Sequence, residues 1–285
     1  MICFPNCKIN LGLYVTRKRD DGYHDIETVF YPITSRGFSN GGAARSIGSL
    51  LDVLEVVQAT ETNIHLSGLA VSGNNQDNLV WKAYQLLKAK FPDKVIPIDI
   101  YLHKVIPMGA GLGGGSADGS FMLRLLNDYF DLGLTKDELL PLALQLGSDC
   151  PFFIHNTPQF ASGRGERMSD IAIDLSPYSI QIICPQVHVS TGAAFAMMQP
   201  KAAPFNLRTL GNLPVEQWKD NISNDFEKPV FQQHPVLAGI KEQLYKQGAL
   251  YAAMSGSGSA IFGIFPKSMD AQVTANVPFS TFYLP

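Results

Sequence analysis

Over residues 8–15 the apolar side chains Ile9, Leu11, Leu13 and Val15 fall on every second position, the period of a strand with one buried face. The same alternation runs through Ile98, Ile100 and Leu102. Shorter strand-like runs lie at 27–33, 53–57 and 64–66, a buried type of strand is predicted over 180–184, and an apolar strand over 260–265. Elsewhere the period lengthens to that of a helix. Val80, Ala83, Tyr84 and Leu87 make one face behind a cap at Asp77 or Asn78. Phe121, Met122, Leu125, Leu126 and Tyr129 predict a second helix, stopping near Gly133. Leu139, Leu140, Leu142, Ala143 and Leu146 predict a third, opened by a capping box of Thr135 and Glu138, with Pro141 counting against it. Val236, Ile240 and Leu244 mark a further helix closed by Gly248. Strands and helices mix without strict alternation, which predicts an α+β fold rather than a doubly wound one.

From Pro107 to Ser120 the chain reads P-M-G-A-G-L-G-G-G-S-A-D-G-S, with five glycines inside seven residues. So few Cβ atoms leave bare backbone, free to take positive φ and to approach a ligand closely. The run joins the 98–102 strand to the helix carrying Phe121, so its N–H groups and the positive end of a helix dipole offer a phosphate site. Gly109, Gly111 and Gly114 also satisfy the dinucleotide fingerprint, with Asp131 downstream at a suitable distance. Context opposes that reading, because a second helix is predicted where the fingerprint needs a parallel strand. No Gly-Lys-Ser/Thr closes a Walker A loop, and neither His-Arg-Asp nor Asp-Phe-Gly of the protein kinases occurs.

The full run resembles the second motif of the GHMP kinases (galactokinase, homoserine kinase, mevalonate kinase, phosphomevalonate kinase). Two further segments agree with that family in order and spacing. They are K-I-N-L-G-L from Lys8, followed by R-D-D-G-Y-H from Arg19, and M-S-G-S-G-S-A-I-F from Met254. The D-G-Y-H tetrapeptide, L-G-S-D-C-P-F-F from Leu146 and S-N-D-F-E from Ser223 are similar to one branch of the family. That branch phosphorylates the 2-hydroxyl of 4-diphosphocytidyl-2-C-methyl-D-erythritol in the non-mevalonate (MEP) route to isoprenoids. The resemblance spans nearly the whole chain. It implies a two-domain fold, residues 1–155 and 156–285, with ATP and substrate in the cleft between. The alternatives are another GHMP small-molecule kinase, for homoserine, mevalonate or a sugar, and a non-catalytic ATP-binding relative.

The resemblance also implies roles. Pro107, Gly109, Gly111, Gly113, Gly114, Gly115 and Ser116 would wrap the ATP phosphates. Ser116 or Ser120 would offer a hydroxyl to phosphate or Mg²⁺, although a plain helix cap accounts for either serine equally well. Asn78, Leu79 and Lys104 would lie near the adenosine. Asp149 would be the general base, with Lys8 beside it holding the carboxylate ionised and stabilising negative charge on the transferring group. On the residues alone, Asp149 reads as a cap or surface carboxylate and Lys8 as a solvated strand lysine. Asn10 would hydrogen-bond the acceptor or Asp149. Tyr23 would stack on the cytosine, His24 would read its edge, and Phe195 would cover the opposite face. Gly256 and Gly258 would let the third motif approach the glycine loop and substrate phosphates. Mg²⁺ is expected without assigned ligands, since it is commonly held by phosphates and water.

Composition narrows the partners. The 285 residues suffice for one or two domains, and a net charge of −3 gives no general attraction to nucleic acid or an anionic membrane. A small-molecule substrate is therefore the expected partner. No apolar run reaches the ~18 residues of a span, and the first residues lack the pattern of a secretion signal, so the expected location is cytoplasmic. Four scattered cysteines predict reduced thiols, and six histidines without an i, i+4 pair argue against a metalloenzyme. The sequence is silent on quaternary state. Residues 34–49, rich in Gly, Ser and Ala, depart from the family and predict an irregular insertion, either a surface loop or a lid carrying two arginines.

Overall fold

The structure is a computed structural model that describes residues 1–34, 50–71 and 73–284. Residues 35–49 of the predicted insertion lie outside the described residues. In chain order the amino-terminal half runs β1 (Ile2–Cys3), β2 (Cys7–Lys18), β3 (His24–Ile33), β4 (Val53–Gln58), β5 (Asn63–Gly68), α1 (Leu79–Lys90) and β6 (Ile98–Lys104). It continues through α2 (Gly114–Tyr129), α3 (Lys136–Leu146) and α4 (Cys150–His155) to β7 (Gln159–Gly163) and β8 (Arg167–Asp170). Then follow β9 (Tyr178–Pro185), α5 (Thr191–Ala196), α6 (Trp218–Asn221), α7 (Glu227–Gln233), α8 (Pro235–Lys246), β10 (Tyr251–Met254), β11 (Ile261–Pro266) and β12 (Phe279–Leu284).

These strands form three four-stranded sheets, ordered β1-β4-β6-β5, β2-β3-β7-β8 and β10-β11-β9-β12. Every pairing is antiparallel except β5 with β6, which α1 joins as a crossover. The predicted α+β class is the observed one. After α2 the chain enters α3 and α4 instead of a parallel strand, so the dinucleotide arrangement is absent. Pro141 does not break α3, whose capping box is complete: the Thr135 hydroxyl accepts from the Glu138 amide, and the Glu138 carboxylate accepts from the Thr135 amide. The β7–β8 hairpin pairs with β3, so the chain beyond residue 155 returns to the amino-terminal half before crossing over.

Three apolar layers hold these sheets. Leu54, Val56, Ile100 and Leu102 bury against Val80, Leu87 and Leu126 of the helices. Ile261 and Phe265 bury against Leu237, Ile240 and Leu244 of α8. Between them, Ile9, Leu11 and Val29 meet Ile182, Phe262 and Ile264, so one core ties β2 and β3 to the carboxyl-terminal sheet. That shared core fixes the spacing between the glycine loop and the strands that face it.

Candidate active site

The glycine loop leaves β6 at Lys104 and enters α2 at Gly114, whose N-cap is Gly113 at φ 74° with no side-chain cap. Its carbonyls are tied back on three sides. The Ala110 carbonyl accepts from the Ala260 amide at 3.1 Å, and the Leu112 carbonyl from the Lys8 amide at 2.9 Å. The Gly111 carbonyl accepts from the Ser255 hydroxyl at 2.9 Å and the Lys8 ammonium at 3.0 Å. Among the described residues, no amide from Gly109 to Ser116 donates to a protein acceptor. Inward carbonyls and unspent amides at a helix N-terminus fit a polyphosphate. The third motif lies directly on this loop, where a Cβ at Gly256 would stand 3.2 Å from the Gly111 Cα. Asn224, within the S-N-D-F-E segment, holds that motif by donating to the Met254 and Gly256 carbonyls at 2.8 Å each.

Beside the loop stand Lys8 and Asp149, with Lys8 Nζ 3.8 Å from Asp149 Oδ2. Lys8 is buried on β2, not solvated, and its ammonium donates to Asn10 Oδ1 at 2.6 Å and lies 5.0 Å from the centre of the Phe30 ring. Asp149 occupies the N-cap position of α4, yet its carboxylate makes no capping bond and is about one-third exposed. It is therefore open to the cleft. Burial lowers the Lys8 pKa, while the Asp149 charge and Cys7 raise it back in part. A lysine charge needed for turnover is lost as pH rises through that lowered value, so the alkaline limb of kcat is expected below pH 10.5, the ordinary lysine value. A pH–rate profile still flat beyond that point contradicts the assignment.

Other predicted residues take more specific positions. Asn10 does not reach Asp149: its oxygen accepts from Lys8, and its amide donates to Thr28 Oγ1 at 2.9 Å. It orients the lysine. Ser120 is buried with its hydroxyl 2.8 Å from the Ser116 and Cys150 carbonyls, so it braces α2 and cannot hold phosphate. Asn78 caps α1 through its side-chain oxygen, which accepts from Val80, and with Leu79 it lines a recess that also touches Gly115 and Met108. Lys104 borders the same recess, but its ammonium is turned into the core against Asp52 and Asp118. Lys104 therefore lies beside Asn78 and Leu79, with its charge spent on the two aspartates. The period-two alternation of β6 puts Lys104 on the buried face with Ile98, Ile100 and Leu102. Gly258 packs on the Met254 side chain, and its backbone nitrogen also borders the glycine loop, where a Cβ at Gly111 would stand 3.3 Å from it.

At the far end of the cleft, Tyr23 is more than half exposed on the turn before β3. His24 stacks on Phe195 with ring centroids 5.1 Å apart and planes inclined by 19°. Phe195 in turn meets the edge of Phe226 at 4.8 Å. The structure thus brings Phe195 to the D-G-Y-H segment, but it is His24 that covers its face. The sequence reading missed Arg164, whose guanidinium lies 5.1 Å from the Tyr23 ring centre. Nothing local in Gly163-Arg164-Gly165 announces that contact, which arises only when β7 pairs with β3. Among the described residues, no group of three or more His, Cys, Asp or Glu could hold a metal ion, and no helix is long and apolar enough to cross a membrane.

This geometry, an uncapped glycine loop with a lysine–carboxylate pair set directly against it, is that of a phosphotransferase. The family model for the GHMP kinases N-terminal domain matches residues 78–157, and that for the GHMP kinases C-terminal region matches 207–280. The chain is 48% identical to a 4-diphosphocytidyl-2-C-methyl-D-erythritol kinase of Parabacteroides distasonis, covering 94% of this chain and 92% of the relative. It is 49% identical to the protein of the same name from Bacteroides thetaiotaomicron, covering 93% and 92%. A crystal structure of 4-(cytidine 5'-diphospho)-2C-methyl-D-erythritol kinase superposes with a TM-score of 0.75 at 29% identity, over 93% of this chain and 90% of that one. The chain belongs to the GHMP kinase family.

Proposed function

We propose that this chain is the MEP-pathway kinase that transfers the γ-phosphoryl group of ATP to the 2-hydroxyl of 4-diphosphocytidyl-2-C-methyl-D-erythritol. The observation that carries the reading is the Lys8–Asp149 pair, 3.8 Å apart, set against a loop whose Ala110, Gly111 and Leu112 carbonyls are tied to neighbouring segments. Asp149 takes the hydroxyl proton, the alkoxide oxygen bonds to the γ-phosphorus, the bond to the β,γ-bridging oxygen breaks, and ADP leaves. Lys8 faces the developing negative charge, while Asn10 and the Gly111 carbonyl hold it in place. The amides of Gly109 to Ser116 and the dipole of α2 receive the phosphates. Mg²⁺ carried on those phosphates supplies charge neutralisation when bound.

Tyr23 offers the cytosine an exposed ring, and Asn78 and Leu79 border the recess for adenosine. Stacking on a base is worth ~1–3 kcal/mol, so Tyr23→Ala is expected to raise the acceptor KM by roughly 5- to 150-fold with kcat little altered. An unchanged KM removes the stacking role. The activity itself is tested with purified protein, ATP, Mg²⁺ and a panel of acceptors, scoring ADP release. Release with the cytidylyl acceptor alone supports the reading; turnover of mevalonate or homoserine in its place overturns it.

A further inference from the structure

We propose that Arg164 is a binding residue for the diphosphate of the acceptor, set between the general base and the base-stacking tyrosine. The inference rests on the function proposed above and adds to it the group that reads the anionic middle of the substrate. Arg164 sits at the tip of the β7–β8 hairpin, flanked by Gly163 at φ 70° and Gly165 at φ 107°. Its amide donates to Glu166 Oε2 at 2.5 Å, which sets the turn. One neighbour in the chain faces the reaction: a Cβ at Gly165 would stand 3.7 Å from Asp149 Oδ1. The side chain itself reaches the other way, over Tyr23. One residue therefore spans the gap between the two ends of the acceptor site.

Charge accounting singles it out further. Arg17 pairs with Asp25 at 2.7 Å, Arg19 with Asp21 at 2.8 Å and Asp25 at 3.0 Å, and Lys201 with Asp225 at 3.3 Å. Arg164 is half-buried and has no ion pair among the described residues. Asp21 feels its charge without pairing with it, so the planar fork is left to match phosphate oxygens. An acceptor with its hydroxyl at Asp149 and its base on Tyr23 must lay its connector across this hairpin. In a nucleoside diphosphate ester that connector is the pair of phosphates.

The test compares wild type, Arg164→Met and Arg164→Lys in acceptor KM, ATP KM, and inhibition by CDP and by cytidine. A lost charge-assisted contact predicts that Arg164→Met raises the acceptor KM and the CDP inhibition constant by about 10- to 100-fold. The cytidine constant and the ATP KM are expected to move less than about threefold, and Arg164→Lys to recover part of the loss, because charge returns without the fork. Equal losses for CDP and cytidine overturn the proposal, since Arg164 would then only prop Tyr23. An unmoved CDP constant overturns it directly, and so does a matching rise in ATP KM. Wild type that releases no ADP with this acceptor overturns the functional reading and the proposal together; turnover with CDP inhibition indifferent to Arg164→Met overturns the proposal alone.

Discussion

Asp149→Asn lowers kcat by about 10²- to 10⁴-fold, the range ascribed to general-base catalysis, and leaves the acceptor KM within a few-fold. The substitution keeps the shape of the side chain and removes only its ability to take a proton. It costs α4 nothing, because the Asp149 carboxylate makes no capping bond in the folded protein. Lys8 retains Asn10 and the Gly111 carbonyl, so its position survives. What it loses is a countercharge, and a buried ammonium without one is held less firmly in its charged form. A small drop in thermal midpoint therefore accompanies the loss of turnover. Steady-state kinetics and a thermal melt measure both. A variant with near-normal kcat and an unchanged fold ends the assignment of the base, whatever happens to the lysine.

How far the sequence announces this site depends on whether a residue's role is set locally or by distant packing. The glycine loop and the capping box of α3 are local, and both were legible from spacing. Lys104 was legible in part: the alternation through Ile98, Ile100 and Leu102 continues inward to residue 104, so its burial follows from the strand period, while its partners Asp52 and Asp118 come from other elements. Lys8 is the opposite case. Its place in β2, among strictly buried neighbours, comes from the layer shared with the carboxyl-terminal sheet, which no window of sequence around residue 8 contains. Ser255, Thr28 and Arg164 enter the site through contacts with residues 144, 18 and many positions away respectively, the last through the β3–β7 register. Sequence motifs mark where the chain must be glycine; which hydroxyl or cation closes on it is decided by topology.

The second large effect is expected at Gly111, and its size is read against Gly109. Both glycines have positive φ, 77° and 68°, so alanine at either pays for the left-handed region, about 1–2 kcal/mol. Around Gly109 a Cβ meets nothing within 4 Å, whereas at Gly111 it would overlap the Ser255 carbonyl oxygen. Ser255 cannot simply retreat, because Asn224 and Glu227 hold the backbone on either side of it, the latter by accepting from the Met254 amide at 2.8 Å. Overpacking against a fixed backbone adds about 1–3 kcal/mol, so Gly111→Ala is expected to lose some 2–5 kcal/mol in all. The disturbance also reaches the chemistry, since the Gly111 carbonyl holds both the Lys8 ammonium and the Ser255 hydroxyl. Thermal unfolding of the two variants side by side, with kcat for Gly111→Ala, decides the matter. If both melt at the same temperature, the third motif yields to the loop instead of clamping it, and the inward tether on the Gly111 carbonyl no longer explains why the loop presents its amides to the cleft.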